Sequence, residues 1–196
     1  MSKVDVKGLI VKSATGFFSK HGFSRTTMEE IAKNIHKAKG VLYYYFKSKE
    51  ELFNEVLKKE LSEVKFELSK IVNSEDDSLT IFENYFLARL RLLNSAINYH
   101  ETLKADFFEE YHFVRDVRDD FAQFEREQLT RILNKGKDEG YLEVKSITSS
   151  VNIILIVISG LENPLYLQKK YNEYESTIEE LSKLIVNSLK SFKKNI

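Results

Sequence analysis

Apolar residues recur along most of this chain at spacings of three and four, the period of a helix with one buried side. The first stripe, Ile10, Ala14, Phe17 and Phe18 across residues 4–20, stops at His21-Gly22, where glycine accepts a left-handed cap. Thr27 followed by Glu30 spells a capping box, so a second short helix opens near Met28, with Ile31, Ala32 and Ile35 on its apolar side. HKAKG interrupts the pattern, and a third short helix is expected over residues 38–45. Ser48 and Glu51 repeat the capping box and open a long helix carrying Leu52, Phe53, Val56, Leu57, Leu61, Val64 and Leu68. NSEDDS, residues 73–78, reads as a polar linker. Helices follow at 79–97, 101–112 and 116–138, the last stopped by Gly140. Residues 146–162 are apolar nearly all round, and 175–193 carry Ile178, Leu181, Ile185 and Phe192 on one face. VNIILIVIS has the β-branching of a strand, which periodicity does not separate from a buried helix, but its helical surroundings favour the helix. Asn163-Pro164 ends or kinks that helix. The expectation is an all-α fold of about nine helices, with a three-helix N-terminal unit over 1–50 and a helical domain over 51–196.

Composition narrows the chemistry. The 196 residues contain no cysteine, which removes disulfides and thiolate metal sites. Net charge is zero, yet residues 1–60 carry +5 and the remainder −5. A basic N-terminal third points to a local anionic partner, although chance alone is an equal alternative. The opening MSKVDVKG lacks the apolar run of a secretory signal. The longest unbroken apolar run, IILIVI, is far short of the ~20 residues that cross a bilayer. A cytoplasmic protein outside the membrane is expected.

Three short helices within 50 residues, the second and third joined tightly, form a helix-turn-helix candidate. The third helix of such a unit enters the major groove. Leu42 and Phe46 share one face and pack inward, leaving Lys39, Gly40, Tyr43 and Tyr44 outward. Tyrosine brings a rigid ring and a hydroxyl for phosphate oxygens. Gly40 lets the backbone approach closely, and Lys49 stands at the start of the next helix.

TTMEEIAKNIHKAKGVLYYYFKSKEELF, residues 26–53, resembles the DNA-binding signature of the tetracycline-repressor (TetR) family, and FFSKHGF resembles the end of that family's first helix. The matching positions are Thr26-Thr27, Ile31-Ala32, Lys39-Gly40, Leu42-Tyr43, Phe46 and Lys49, within about residues 5–57. The family has Gly-Val-Ser where this chain has His36-Lys37-Ala38. The change places a side chain at a backbone position that suits glycine, and it removes a helix cap that Ser supplies. The resemblance implies a homodimeric regulator, usually a repressor, on a near-palindromic double-stranded DNA operator. It implies DNA contacts at Thr27, Met28, Lys37, Lys39, Gly40, Val41, Tyr43, Tyr44, Tyr45 and Lys49. Tyr43, Tyr45 and Lys49 fall to phosphates, with Lys37 in place of the serine contact. Lys39, Gly40, Val41 and Tyr44 fall to base edges, Val41 suiting a thymine methyl. Tyr45 is equally readable as a packing residue.

The resemblance also implies a C-terminal effector-binding and dimerisation domain. Residues 82–124 hold ten Phe or Tyr, which suits an apolar pocket for a small molecule, although ordinary core packing explains any single ring. The expected pocket is Tyr85, Phe86, Arg89, Tyr99, Phe107, Phe108, Tyr111, His112, Phe121, Phe124 and Asn163, with Asn98 and His100 as further polar anchors. Arg89 beside Tyr85 and Phe86 suits a carboxylate, which makes an apolar acid the expected effector. The expected dimer contact is Ile154, Ile158, Leu161, Ile178, Leu181, Ile185 and Phe192. The helix from Ser48 runs from the recognition unit to the pocket and is the expected transmission element. No cofactor, metal site or catalytic residue is expected. The lone Glu-x-x-His of EEYH lacks the second copy a di-iron bundle needs, and no phosphate-binding glycine loop occurs. The rival reading is a helical ligand-binding or adaptor protein without sequence-specific DNA binding.

Overall fold

Most of the helix ends are set by the residues the sequence places there. The computed structural model describes residues 5–104 and 112–190, which contain nine α-helices and no strand. α1 is Val6–Arg25, α2 Met28–Asn34, α3 Lys39–Tyr45, α4 Lys49–Val72, α5 Ser78–Ser95 and α6 Ile97–Glu101. A 3₁₀ turn at His112–Val114 leads into α7, Arg115–Asp138; α8 is Ile147–Glu162 and α9 Tyr171–Leu189. The Asn163–Leu167 stretch after α8 is a single π-helical turn, where Pro164 removes a donor from the ladder. Among the expected contacts, Phe107, Phe108, Tyr111 and Phe192 lie outside the described residues.

The first capping box is complete, and the second has the Ser48 half, with its glutamate reaching one residue further back. Thr27 Oγ1 accepts from Glu30 N while a Glu30 carboxylate oxygen accepts from Thr27 N at 3.0 Å. Ser48 Oγ accepts from Glu51 N at 3.2 Å, and Glu51 turns back to Lys47 N. α1 breaks at Gly22, whose φ of 79° and ψ of 168° suit only glycine. α7 ends in a Schellman motif with Gly140 left-handed at φ 73°, Tyr141 N reaching Gly136 O and Gly140 N reaching Lys137 O.

The helices group into two packed units. One takes the chain up to Ser62 together with Ala96–Arg118, and the other takes Glu63–Ser95 together with Asp119 onward. The first unit therefore extends beyond the helix-turn-helix over 1–50, because α6 is anchored to α1 and α4. Glu60 on α4 accepts from the backbone N–H groups of Asn98 and Tyr99 at 3.3 and 2.8 Å, capping the first turn of α6. Asn98 Nδ2 also donates to Ser19 Oγ on α1 at 3.0 Å. An aromatic knot of Phe18, Phe23, Phe53 and Phe113 fills the centre of this unit, with ring centroids 5.0–6.2 Å apart.

The apolar stripe of α4 is buried along its whole length, from Leu52 to Leu68. In the second unit α5 packs on α9. Asp77 caps α5 by accepting from Leu79 N and Thr80 N. A Cβ on Gly136 would clash with the Leu142 side chain and lie 2.9 Å from Ser78 Oγ, so α7 passes the start of α5 at glycine distance.

Candidate nucleic-acid interface

The short turn between α2 and α3 decides which residues face outward. α2 ends in a second Schellman motif, with His36 N on Lys33 O at 3.1 Å and Lys37 N on Ala32 O at 3.0 Å. The left-handed position, usually glycine, is His36 at φ 53°. Ala38 then starts α3 with no side-chain cap. Both consequences expected of His36-Lys37-Ala38 are therefore present.

α3 buries one face and exposes the rest. Leu42 and Phe46 are fully buried beneath it. Lys37, Lys39, Gly40, Tyr43, Tyr44 and Tyr45 are exposed and Val41 is half-buried. Tyr44 is 83% exposed, its ring meeting only the edge of Tyr45 at 5.1 Å among the ring contacts described. Lys39 sits 6.0 Å from the Tyr43 ring and 3.4 Å from Glu29. That ion pair lies in water and holds the lysine weakly. Nothing within 4 Å would meet a Cβ at Gly40, so the protein itself has no packing reason for glycine there.

Two expected DNA contacts are corrected. Met28 is 4% exposed and sits in the core as the first residue of α2, where its apolar side chain stabilises more by burial than by facing water. Lys49 turns inward. Its Nζ donates to Phe23 O at 2.9 Å and lies 4.3 Å from the Phe23 ring centroid, tying the end of α1 to the start of α4. Thr27 is exposed, with its hydroxyl engaged in the capping box.

The expected pocket residues are divided between the units. Tyr99 and His112 belong to the first; Tyr85, Phe86, Arg89, Phe121, Phe124 and Asn163 belong to the second. His112 is exposed beside Arg115, and Asn163 is exposed with its amide oxygen accepting from Gln168, so neither is a buried anchor. Asn98 is buried, its Nδ2 donating to Ser19 and Glu60 while its Oδ1 has no hydrogen-bond partner among the described residues. Tyr85, Phe86 and Phe121 are core residues of the second unit, and Phe124, stacked on Phe121, is half-buried.

Arg89 is 2% exposed and paired with two acids of its own chain. Its Nε donates to Glu125 Oε1 at 2.7 Å, and one Nη donates to Glu162 Oε1 at 2.7 Å. Tyr85 and Tyr166 adjoin this cluster. Burial raises both phenol pKa values; beyond it, Glu125 raises that of Tyr85 further while Arg89 opposes. Sequence reading missed both glutamates. Glu162 left a signal, since it is the sole charged residue in the helix 147–162. Glu125 left none among its charged neighbours.

The dimer residues also differ. Ile154, Ile158 and Ile178 are buried inside the second unit, whereas Leu161, Leu181 and Ile185 are half-buried. The exposed apolar positions are Ile153 (62%), Ile156 (71%) and Leu184 (66%). A residue one or two positions away on a helix faces another direction, which the all-apolar run concealed. With its π turn, the stretch Ile147–Leu167 is also long and apolar enough to cross a bilayer, a length the six-residue run did not suggest.

A basic, aromatic short helix held outward by a turn after α2 defines a helix-turn-helix DNA-binding module. Residues 10–56 match the family described as bacterial regulatory proteins, tetR family. The HTH-type transcriptional regulator YhgD of Bacillus subtilis is 33% identical over 137 residues, covering 69% of each chain. The HTH-type transcriptional regulator QacR of Staphylococcus aureus is 24% identical over 190 residues, covering 95% of this chain and 99% of QacR. The fold matches that of the fatty acid degradation regulator FadR from Bacillus halodurans, with TM-score 0.76 and 14% identity over 95% of this chain and 97% of FadR. The chain belongs to the tetR family of bacterial regulatory proteins. It is a DNA-binding transcriptional regulator and not an enzyme, and the adaptor reading is set aside.

Proposed function

We propose that the chain is a homodimeric repressor that grips a near-palindromic operator through α3 and releases it when a small molecule binds the second helical domain. The observation that carries the reading is Tyr44, a large aromatic side chain left 83% exposed on a helix beside exposed Lys37, Lys39 and Tyr43. Lys39, Gly40, Val41 and Tyr44 face base edges, while Thr27, Lys37, Tyr43 and Tyr45 hold phosphates. Two copies of α3 then lie about 34–36 Å apart, one turn of the duplex.

A second copy is the partner that suits the apolar surface of α8 and α9. Ile153, Ile156 and Leu184 stand in water in the single chain, and only 33% of the apolar window in 147–167 is buried. Ser149, Asn152 and Ser159 share α8 with those isoleucines, which suits a protein surface better than lipid. The dimer acts in the cytoplasm, where the DNA is. An effector that prefers a dimer with a different α3 separation lowers operator affinity by its differential binding.

The test is selection of random duplexes on the immobilised full chain, followed by sequencing. A palindrome with half-sites about 10 base pairs apart is expected. Retention without sequence preference contradicts the proposal.

A further inference from the structure

The first unit carries a cleft beside the recognition turn, built from side chains other than the exposed face of α3. One wall is α1 from Leu9 to Lys20, about 16 Å of helix at 1.5 Å per residue. The other wall is the end of α2 and the turn at His36. The volume is about 720 Å³, within the ~300–1,000 Å³ of small-molecule sites. Asn34 Nδ2 donates to Ser13 Oγ at 3.0 Å and ties the two walls together, so the cleft is formed without a ligand.

The charge of the lining selects what fills it. Lys12, Lys20, His21 and His36 line the cleft, and no Asp or Glu among the described residues does. Neither lysine has an ion pair or a side-chain hydrogen bond among the described residues. Leu9, Phe17 and Ile35 supply the apolar part of the same lining.

Gly16 is an independent observation at the same place. It lies in the middle of α1 with a helical backbone, and a Cβ there would meet nothing within 4 Å. Glycine weakens a helix interior relative to alanine, and no described residue of this chain comes close enough to require it. A surface left open at glycine suits the close approach of a molecule from outside. A cation would be repelled by this lining. A DNA backbone brings phosphates but no apolar body to cover Leu9 and Phe17. An apolar chain ending in an anion matches both parts of the lining.

We propose that this cleft binds a small amphiphilic anion, an apolar chain ending in a carboxylate, within the DNA-binding unit itself. The carboxylate pairs with Lys12 or Lys20, and the chain lies over Gly16 and Phe17. A bound anion offsets positive charge in the unit that faces phosphates, and it abuts His36, whose left-handed turn leads into α3. Occupation therefore weakens the grip on DNA. That consequence rests on the DNA-binding reading above, whereas the binding itself does not.

The test is calorimetric titration of the purified full chain at neutral pH with dodecanoate, dodecyltrimethylammonium and acetate. Dodecanoate is expected to bind at least about tenfold more tightly than the ammonium, with no detectable heat from acetate. Gly16→Leu places a side chain in the cleft without meeting the protein. It is expected to remove one dodecanoate site per chain, with the thermal unfolding midpoint unchanged or raised. Lys12→Gln combined with Lys20→Gln is expected to erase the preference for the anion, and this pair carries the test if Gly16→Leu does not fold. Dodecanoate is also expected to lower wild-type affinity for a selected duplex about threefold or more, and to lose that effect in Gly16→Leu. Absence of dodecanoate binding, an unchanged site count and affinity in folded Gly16→Leu, or tighter binding of the ammonium overturns the inference. A lysine pair that weakens duplex binding while the wild type binds no dodecanoate also overturns it, since the cleft is then a DNA contact. Failure to retain any preferred duplex strikes the repressor reading instead and leaves the calorimetric result to decide this one.

Discussion

Two residues carry opposite lessons about left-handed backbone. Gly22 sits at φ 79° where α1 breaks, and a Cβ there would lie 3.1 Å from Glu101 Oε1. Gly22→Ala is expected to lower stability by about 1–3 kcal/mol in chemical denaturation, from the backbone conformation alone. His36 takes the left-handed position that closes α2, at φ 53° with an exposed side chain. Glycine relieves about 1–2 kcal/mol there but returns about 0.5–1 kcal/mol as unfolded-chain entropy. His36→Gly is therefore expected to raise the unfolding midpoint slightly, and a fall would show that the imidazole makes a stabilising contact. Arg89 is the most consequential single side chain in the second unit. Arg89→Ala leaves two buried carboxylates without their shared cation and is expected to cost about 3–5 kcal/mol in the same assay.

At the scale of the element, α3 separates folding from function. Gly40 has open space where a Cβ would go, and its backbone is ordinary helix. Gly40→Ala is expected to stabilise the helix by up to about 1 kcal/mol while weakening DNA binding, because only an external surface meets the new methyl. Thermal unfolding and an operator titration on one preparation check both halves. The helices themselves were largely legible in the sequence. The caps at Thr27 and Ser48, the stops at Gly22 and Gly140 and the break at Asn163-Pro164 rest on local chemistry within four residues. Orientation was less legible. Met28 obeys its neighbours in the core, and Lys49 finds the Phe23 carbonyl from 26 positions away, which no local pattern encodes. The same limit hid Glu125 as a partner of Arg89.

At the scale of the whole molecule, an apolar run says that a helix is covered without saying by what. VNIILIVIS reads as buried all round, yet Ile154 and Ile158 serve the chain's own core while Ile153 and Ile156 stand exposed. The distinction makes a paired prediction. Ile156→Glu is expected to convert a dimer to monomers in sedimentation equilibrium with the helical content unchanged. Ile158→Ala is expected to lower stability by about 2–5 kcal/mol through a core cavity. If Ile156→Glu leaves the mass unchanged, α8 is not the contact between copies.

The central claim is that the exposed face of α3 reads DNA, and a titration of the selected duplex tests it most directly. The wild-type chain, Tyr44→Ala and Met28→Leu would be compared at one salt concentration, since phosphate contacts make affinity salt-dependent. The account predicts a loss of about tenfold or more for Tyr44→Ala and little change for the buried Met28→Leu. Wild-type affinity in Tyr44→Ala would contradict it.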